Sequence, residues 1–195
     1  MYNNKEVEQT ILELIHEDNI GLSELPNIDL YMDQLLTFLN KTLKSSKGEQ
    51  HPAFTKTMIN NYARKDSVLM QPKDKKYTHY HILSLILIHH LKEILSIDDI
   101  KSLFGSMFND IDDPGDDIMQ PEQAYEAFCK FKSTAAAQLM SNIQSQMELV
   151  KPEIESIPAE HRALGSDFLL ILMLVNQANI CQKLAERILN DKFNC

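Results

Sequence analysis

PAFTKTMINNYARKDSVLMQPKDKKYTHYHILSLILIHHLKEILSIDDIKSLF, residues 52–104, decides how this chain is read. Its spacings predict a short polar-faced helix over about 55–65, a basic turn, a very apolar helix over about 79–95, and a short capped helix from Ser96. In the first helix Phe54, Met58 and Tyr62 recur every four residues and are expected to face inward. A turn of about 100° per residue then gathers Lys56, Asn60 and Arg64 on the opposite side, with Thr57 beside them. That side carries hydrogen-bonding and cationic groups. Asn pairs bidentately with adenine, Arg with guanine, and Lys neutralises phosphate. The plain alternative is a solvated helix face.

The turn Gln71-Pro72-Lys73-Asp74-Lys75-Lys76-Tyr77 suits a small β-hairpin resting on a phosphate backbone, or else an ordinary charged loop. Thr78 is placed to cap the apolar helix, whose Ile82, Leu83, Ile86, Leu87, Leu91, Ile94 and Leu95 cover more than half its circumference. Ser96-Ile97-Asp98-Asp99 fits a capping box with Asp in the acidic place. Charge marks the same region. Residues 41–92 hold ten Lys/Arg against three Asp/Glu, or +7, whereas the remainder holds nine against twenty-five, or −16, within a net −9. A local basic patch, rather than net charge, is the footprint of a nucleic-acid binder.

Working outward, helical periodicity continues in both directions. Val7, Ile11, Leu14 and Ile15 predict a helix over 5–17, and Ile28, Met32, Leu35, Leu39 and Leu43 a second from Asp29 to about Lys44. Asn109 to Asp117 is acidic around Pro114-Gly115 and reads as an exposed linker. A calcium loop fails there, because Pro114 and Pro121 stand where ligands are required. Two long helices follow, over about 121–150 and 163–189, the second being the most apolar of the chain. Only five Gly in 195 residues leaves little material for strand turns, so the expected class is all-α, or mainly α, with a small β-wing. The expected divisions are an N-terminal helix (1–24), a DNA-binding domain (25–108), the linker (109–120) and a helical dimerisation or effector region (121–195).

Chemistry is harder to find. His79, His81, His89 and His90 lack the spacing of a helical zinc pair and read as surface and helix-end residues. Cys129 and Cys181 read as buried small residues, and Cys195 as solvent-facing. No phosphate loop, nucleophile elbow or dinucleotide glycine pattern is present, so no enzyme activity, catalytic residue, metal or cofactor is expected. The longest apolar run, Phe168 to Val175, is eight residues where a membrane span needs about twenty. No signal peptide is visible, and a cytoplasmic location without membrane contact is expected.

LPNIDLYMDQLLTFLNKTL (25–43), followed by FTKTMINNYARK and KKYTHYHILSLILIHHLKEILSIDDIKSLF, resembles DUF1836, a bacterial family commonly taken as MerR-like transcription regulators. The resemblance covers about residues 22 to 190. It implies a winged helix-turn-helix in which Thr55 to Tyr62 stands where MerR proteins carry the recognition helix. It adds Asn61 and Tyr62, and Tyr77 at the wing exit, to a DNA-contacting set of Lys56, Thr57, Asn60, Arg64, Lys73, Lys75 and Lys76. The departures are Asn61-Tyr62 in place of a Tyr-Tyr pair, lysines in place of wing arginines, and two apolar helices in place of one long coiled coil. The resulting expectation is a sequence-specific regulator of double-stranded DNA, acting as a homodimer whose core is Phe168 to Leu189 with the 121–150 helix. A small-molecule effector could enter between those helices. The competing expectation is a helical protein–protein interaction module with the same fold and no DNA binding.

Overall fold

The computed structural model describes residues 4–16, 20–45, 50–64, 67–108 and 118–193. Among them are eight α-helices and two short strands, so the chain is mainly helical. They form two compact units: residues 17–129 with 186–195, and residues 1–16 with 130–185.

The larger unit is built around α4 (His79–Leu91), in which every residue from His81 to His89 is buried. A helix apolar on all sides is stable only when packed on all sides. The packing comes from Leu35 and Leu39 of α2 (Met32–Thr42), Ile59 of α3 (Lys56–Tyr62), and Ile100 and Phe104 of α5 (Ile97–Met107). Full burial of each such aliphatic side chain contributes about 1.5–3 kcal/mol. The start of α6 (Pro121–Leu149) closes this core with Tyr125, which is 1% exposed and whose hydroxyl donates to the Ile20 carbonyl at 2.8 Å. Burial raises the phenol's pKa, so it remains a donor. Tyr125→Phe should leave that carbonyl without this donor and lower unfolding stability by about 1–2 kcal/mol, read by urea denaturation.

The two strands correct the expected hairpin. β1 (Leu30–Tyr31) pairs antiparallel with β2 (Lys76–Tyr77), Leu30 opposite Tyr77 and Tyr31 opposite Lys76. The basic turn therefore leads into a strand whose partner lies before α2, not within the turn. Alternation along β2 sends Lys76 outward and Tyr77 into the core. Ile28, expected on the core face of the second helix, precedes both β1 and α2 and is 69% exposed.

The smaller unit has a thinner core. Val7 and Ile11 of α1 (Asn4–His16) meet Ile143 of α6, with Leu139, Met140, Met147, Leu170, Met173 and Leu174 around them. Leu14, expected on that stripe, is exposed. Pro152 stands in the first turn of α7 (Lys151–Ser156), and Arg162 ties the end of that helix to α8 (Arg162–Lys192) by donating to the Glu155 and Ile157 carbonyls, both at 2.9 Å. Only one side of α8 is engaged in this core. Phe168, Ile171, Leu172, Val175, Ile180 and Leu184 are each at least half exposed, and Cys181, expected to be buried, is exposed too. Composition makes this helix look buried, but apolar content does not say what covers it. The helical stretch Ala159–Lys192 is long enough, and over an 18-residue window of mean hydropathy 1.4 apolar enough, to cross a membrane by length and composition only. The short uninterrupted runs in the sequence understate that. The acidic linker over 109–117, its calcium test included, and Cys195 lie outside the described residues.

Candidate nucleic-acid interface

α3 is seven residues long, too short to be stable alone, so its position is set by what holds its ends. Thr55 caps it, its hydroxyl accepting from the Met58 N–H at 3.2 Å. Just ahead, Asn40 of α2 grips Phe54 with both ends of its amide. Its nitrogen donates to the Phe54 carbonyl at 2.9 Å, and its oxygen accepts from the Phe54 N–H at 2.8 Å. Lys92, following α4, donates to the Ala53 carbonyl at 3.1 Å and lies 4.7 Å from the centre of the Phe54 ring. Phe54 is buried against Tyr62, edge to face at 6.5 Å, and against His89 at 5.9 Å. After the helix, the Leu69 N–H donates to the Tyr62 carbonyl at 2.9 Å. Asn40→Ala should cost about 1–2 kcal/mol, since it removes two backbone hydrogen bonds at once, and thermal or urea unfolding will read the loss.

This seating turns Ile59 and Tyr62 inward, with Met58 half-buried, and leaves Lys56, Thr57, Asn60 and Asn61 exposed. At 100° per residue the outward four span about 140°, which is one continuous face. Ile59 is the inward residue that the four-residue spacing passes over. Arg64 is exposed but does not belong to that face. The helix ends at Tyr62, and Ala63 leaves helical geometry, so the helical phase cannot be carried to position 64. Arg64 lies instead at a cavity of about 380 Å³ shared with Lys101, Tyr80, Phe104 and Phe108.

Tyr62 and Tyr77 are 8% and 4% exposed, and burial raises both phenol pKa values. Their rings are core. The basic turn, by contrast, presents Lys73, Lys75 and Lys76 to solvent. Asp74 and Lys75 both take left-handed backbone conformations, with φ of 50° and 63°. Such conformations in residues other than glycine cost about 1 kcal/mol or more each and persist where the surroundings impose them. The surroundings here are Pro72 on one side and the β1–β2 pairing on the other. Lys76 also lies 5.9 Å from the centre of the exposed Tyr31 ring.

The histidines correct the surface reading. His81 is 1% exposed and His89 is 4% exposed. His81 stands at the third position of α4, and its Nδ1 accepts from the Thr78 N–H at 3.1 Å, with the Thr78 hydroxyl 2.9 Å away. It performs the capping-box task usually given to Glu or Gln. Its ring meets Tyr77 at 5.5 Å and Tyr80 at 5.9 Å. Burial lowers its pKa to about 4, against the opposing pull of the Met70 carbonyl and the Asp29 charge. His81 is therefore neutral near pH 7 and joins the end of the basic turn to α4. Among the described residues no three His, Cys, Asp or Glu side chains converge as a metal site would require.

A family model described as "Domain of unknown function (DUF1836)" matches residues 20–128. The match covers more than half of the 195 residues, and the chain belongs to that family. It nearly coincides with the 17–129 segment of the larger unit, so α3, the basic turn and their supports all lie inside it. No curated protein and no solved structure matches the chain.

Proposed function

We propose that this chain is a sequence-specific DNA-binding regulator of transcription, of MerR-like helix-turn-helix type. The observation that carries the reading is α3: four outward side chains on one continuous face, all polar or cationic, on a helix gripped at its entry by Asn40 and Lys92. A reading helix needs that combination, because base edges discriminate only when donors and acceptors are held in place. Lys56, Thr57, Asn60 and Asn61 enter the major groove. Lys73, Lys75 and Lys76 bind phosphate and set orientation, which is the division of labour in such interfaces. Arg64, just past the helix, contacts the flanking backbone. Tyr62 and Tyr77 support the two elements from behind rather than touching the duplex. No catalytic role is assigned to any residue.

The test is selection of bound duplexes from a random pool, with the winner's affinity measured at two salt concentrations. Enrichment of one sequence with a steep salt slope supports a specific regulator, because each phosphate contact releases counterions. Absence of enrichment together with salt-insensitive behaviour overturns the reading and leaves a helical protein–protein interaction module.

A further inference from the structure

We infer that the cavity beside Arg64 is a binding site for a small amphipathic carboxylate, an apolar body carrying one acidic group. The cavity measures about 380 Å³, toward the lower end of the range for small-molecule sites, about 300–1,000 Å³. It is formed within the larger unit alone, by the segment that follows α3, by Tyr80 of α4 and by α5. It does not lie between the two C-terminal helices, where an effector was expected. Its buried part is apolar and held in place. Phe104 and Phe108, each 6% exposed, meet edge to face at 5.2 Å, and Tyr80 stands edge to face against Phe108 at 6.2 Å. On the opposite wall the Leu69 N–H donates to the Tyr62 carbonyl at 2.9 Å, and the Ser67 hydroxyl donates to the Asn61 carbonyl at 3.0 Å. Walls anchored before a ligand arrives need little ordering when it binds.

Two further observations say what the cavity would take. The first is charge. Arg64 and Lys101 both line it and both are exposed, and no carboxylate stands among its described lining residues. Among the described residues neither cation is ion-paired. The second is Gly105. Lys101, Phe104 and Gly105 stand at i, i+3 and i+4 of α5, so one face of the helix forms this wall. Glycine is, proline aside, the least favourable residue inside a helix. Here no positive φ requires it, and nothing lies within 4 Å of where a Cβ would stand, so no close approach requires it either. What the missing side chain leaves is room in the cavity.

An inorganic anion would leave the aromatic wall unused, and a neutral apolar molecule would leave the two cations unused. A carboxylate on an apolar body engages both, since a guanidinium matches a carboxylate through two parallel hydrogen bonds while rings and aliphatic groups fill the space behind. Under the DNA reading, the ligand's acid and a flanking phosphate compete for Arg64. The site itself does not depend on that reading, because it is tested on the chain without nucleic acid.

The experiment uses the full chain and naphthoate as the probe. The chain has no tryptophan, so the probe's fluorescence anisotropy is read without a competing indole. Naphthoate should bind saturably at one site, about 10-fold or more tighter than naphthamide, the neutral amide of the same shape. Arg64→Gln should remove most of that preference. Gly105→Leu, whose side chain grows into the cavity, should weaken naphthoate binding by about 10-fold or more. Circular dichroism will report whether the leucine variant folds, and Arg64→Gln, an exposed change, keeps the test independent of that outcome. Absence of saturable binding at millimolar naphthoate overturns the inference. So does equal affinity for acid and amide in the parent chain, or undiminished binding by a folded Gly105→Leu, the result expected if the probe lodges on the exposed side of α8 instead.

Discussion

Lys56→Ala combined with Asn60→Ala should reduce affinity for the selected duplex by roughly 100-fold at constant salt, while far-UV circular dichroism and unfolding stability stay unchanged. Both side chains project from α3 into solvent, so their removal exposes no cavity. A lost base contact costs about 1–3 kcal/mol and relaxes specificity at that position, and a lost phosphate contact lowers the salt slope by about one. Replacing Lys73, Lys75 and Lys76 together by alanine should do something different. The salt slope should fall by about three, with the preferred sequence unaltered, because backbone contacts position without reading. The pair of experiments separates the two elements. If the α3 variant bound the selected duplex as tightly as the parent chain, α3 would not be the reading helix.

The second large effect is on stability and follows from His81. Its pKa in the fold, about 4, is below the ordinary value of 6.5. The unfolded chain therefore takes up this proton first as pH falls. The contribution is fully present above the ordinary value, and it is lost as pH drops from about 6.5 toward about 4. Its size is about 3 kcal/mol at the acid end. His81→Gln retains an acceptor for the Thr78 N–H, as glutamine does in ordinary capping boxes, but carries no titrating ring. Between about pH 7 and about pH 4.5 the parent chain should lose about 2–3 kcal/mol more stability than this variant in urea denaturation. Equal losses would remove His81 as the cause of acid sensitivity. Acid should act first where β2 and the basic turn join α4, because Thr78 is the group that loses its acceptor.

Much of the helical order is legible without the structure. The periodicity of Leu35, Leu39 and Leu43, and the all-round apolarity of 82–88, place α2 and α4 with their buried faces. What the pattern does not carry are contacts between residues far apart in sequence. β1 and β2 are two residues each and lie about 45 positions apart, too short for alternation to register. Nothing local marks Asn40 or Lys92 as clamps on Phe54, because each looks like an ordinary polar helix residue. His81 does leave a signal. A Thr followed three places later by a side-chain acceptor is a capping pattern, and a neutral His can stand in that place. Arg64 falls off the expected face because periodicity has no means of sensing where a short helix stops. The outward face of α8 is hidden for the opposite reason: the pattern gives the apolar residues, but not whether anything in the same chain lies against them.

The double grip on Phe54 has a consequence for how such a protein can change. Asn40 and Lys92 hold α3 through backbone carbonyls, an N–H group and one buried ring, none of which belongs to the outward face. Lys56, Thr57, Asn60 and Asn61 contribute almost nothing to how the helix is mounted. They can be rewritten together with stability changes within about 0.5 kcal/mol each, the usual range for surface positions. Mounting and message are thus inherited separately. Divergent relatives can keep one scaffold while exchanging what it says, and a designer can use the same four positions as a replaceable cassette.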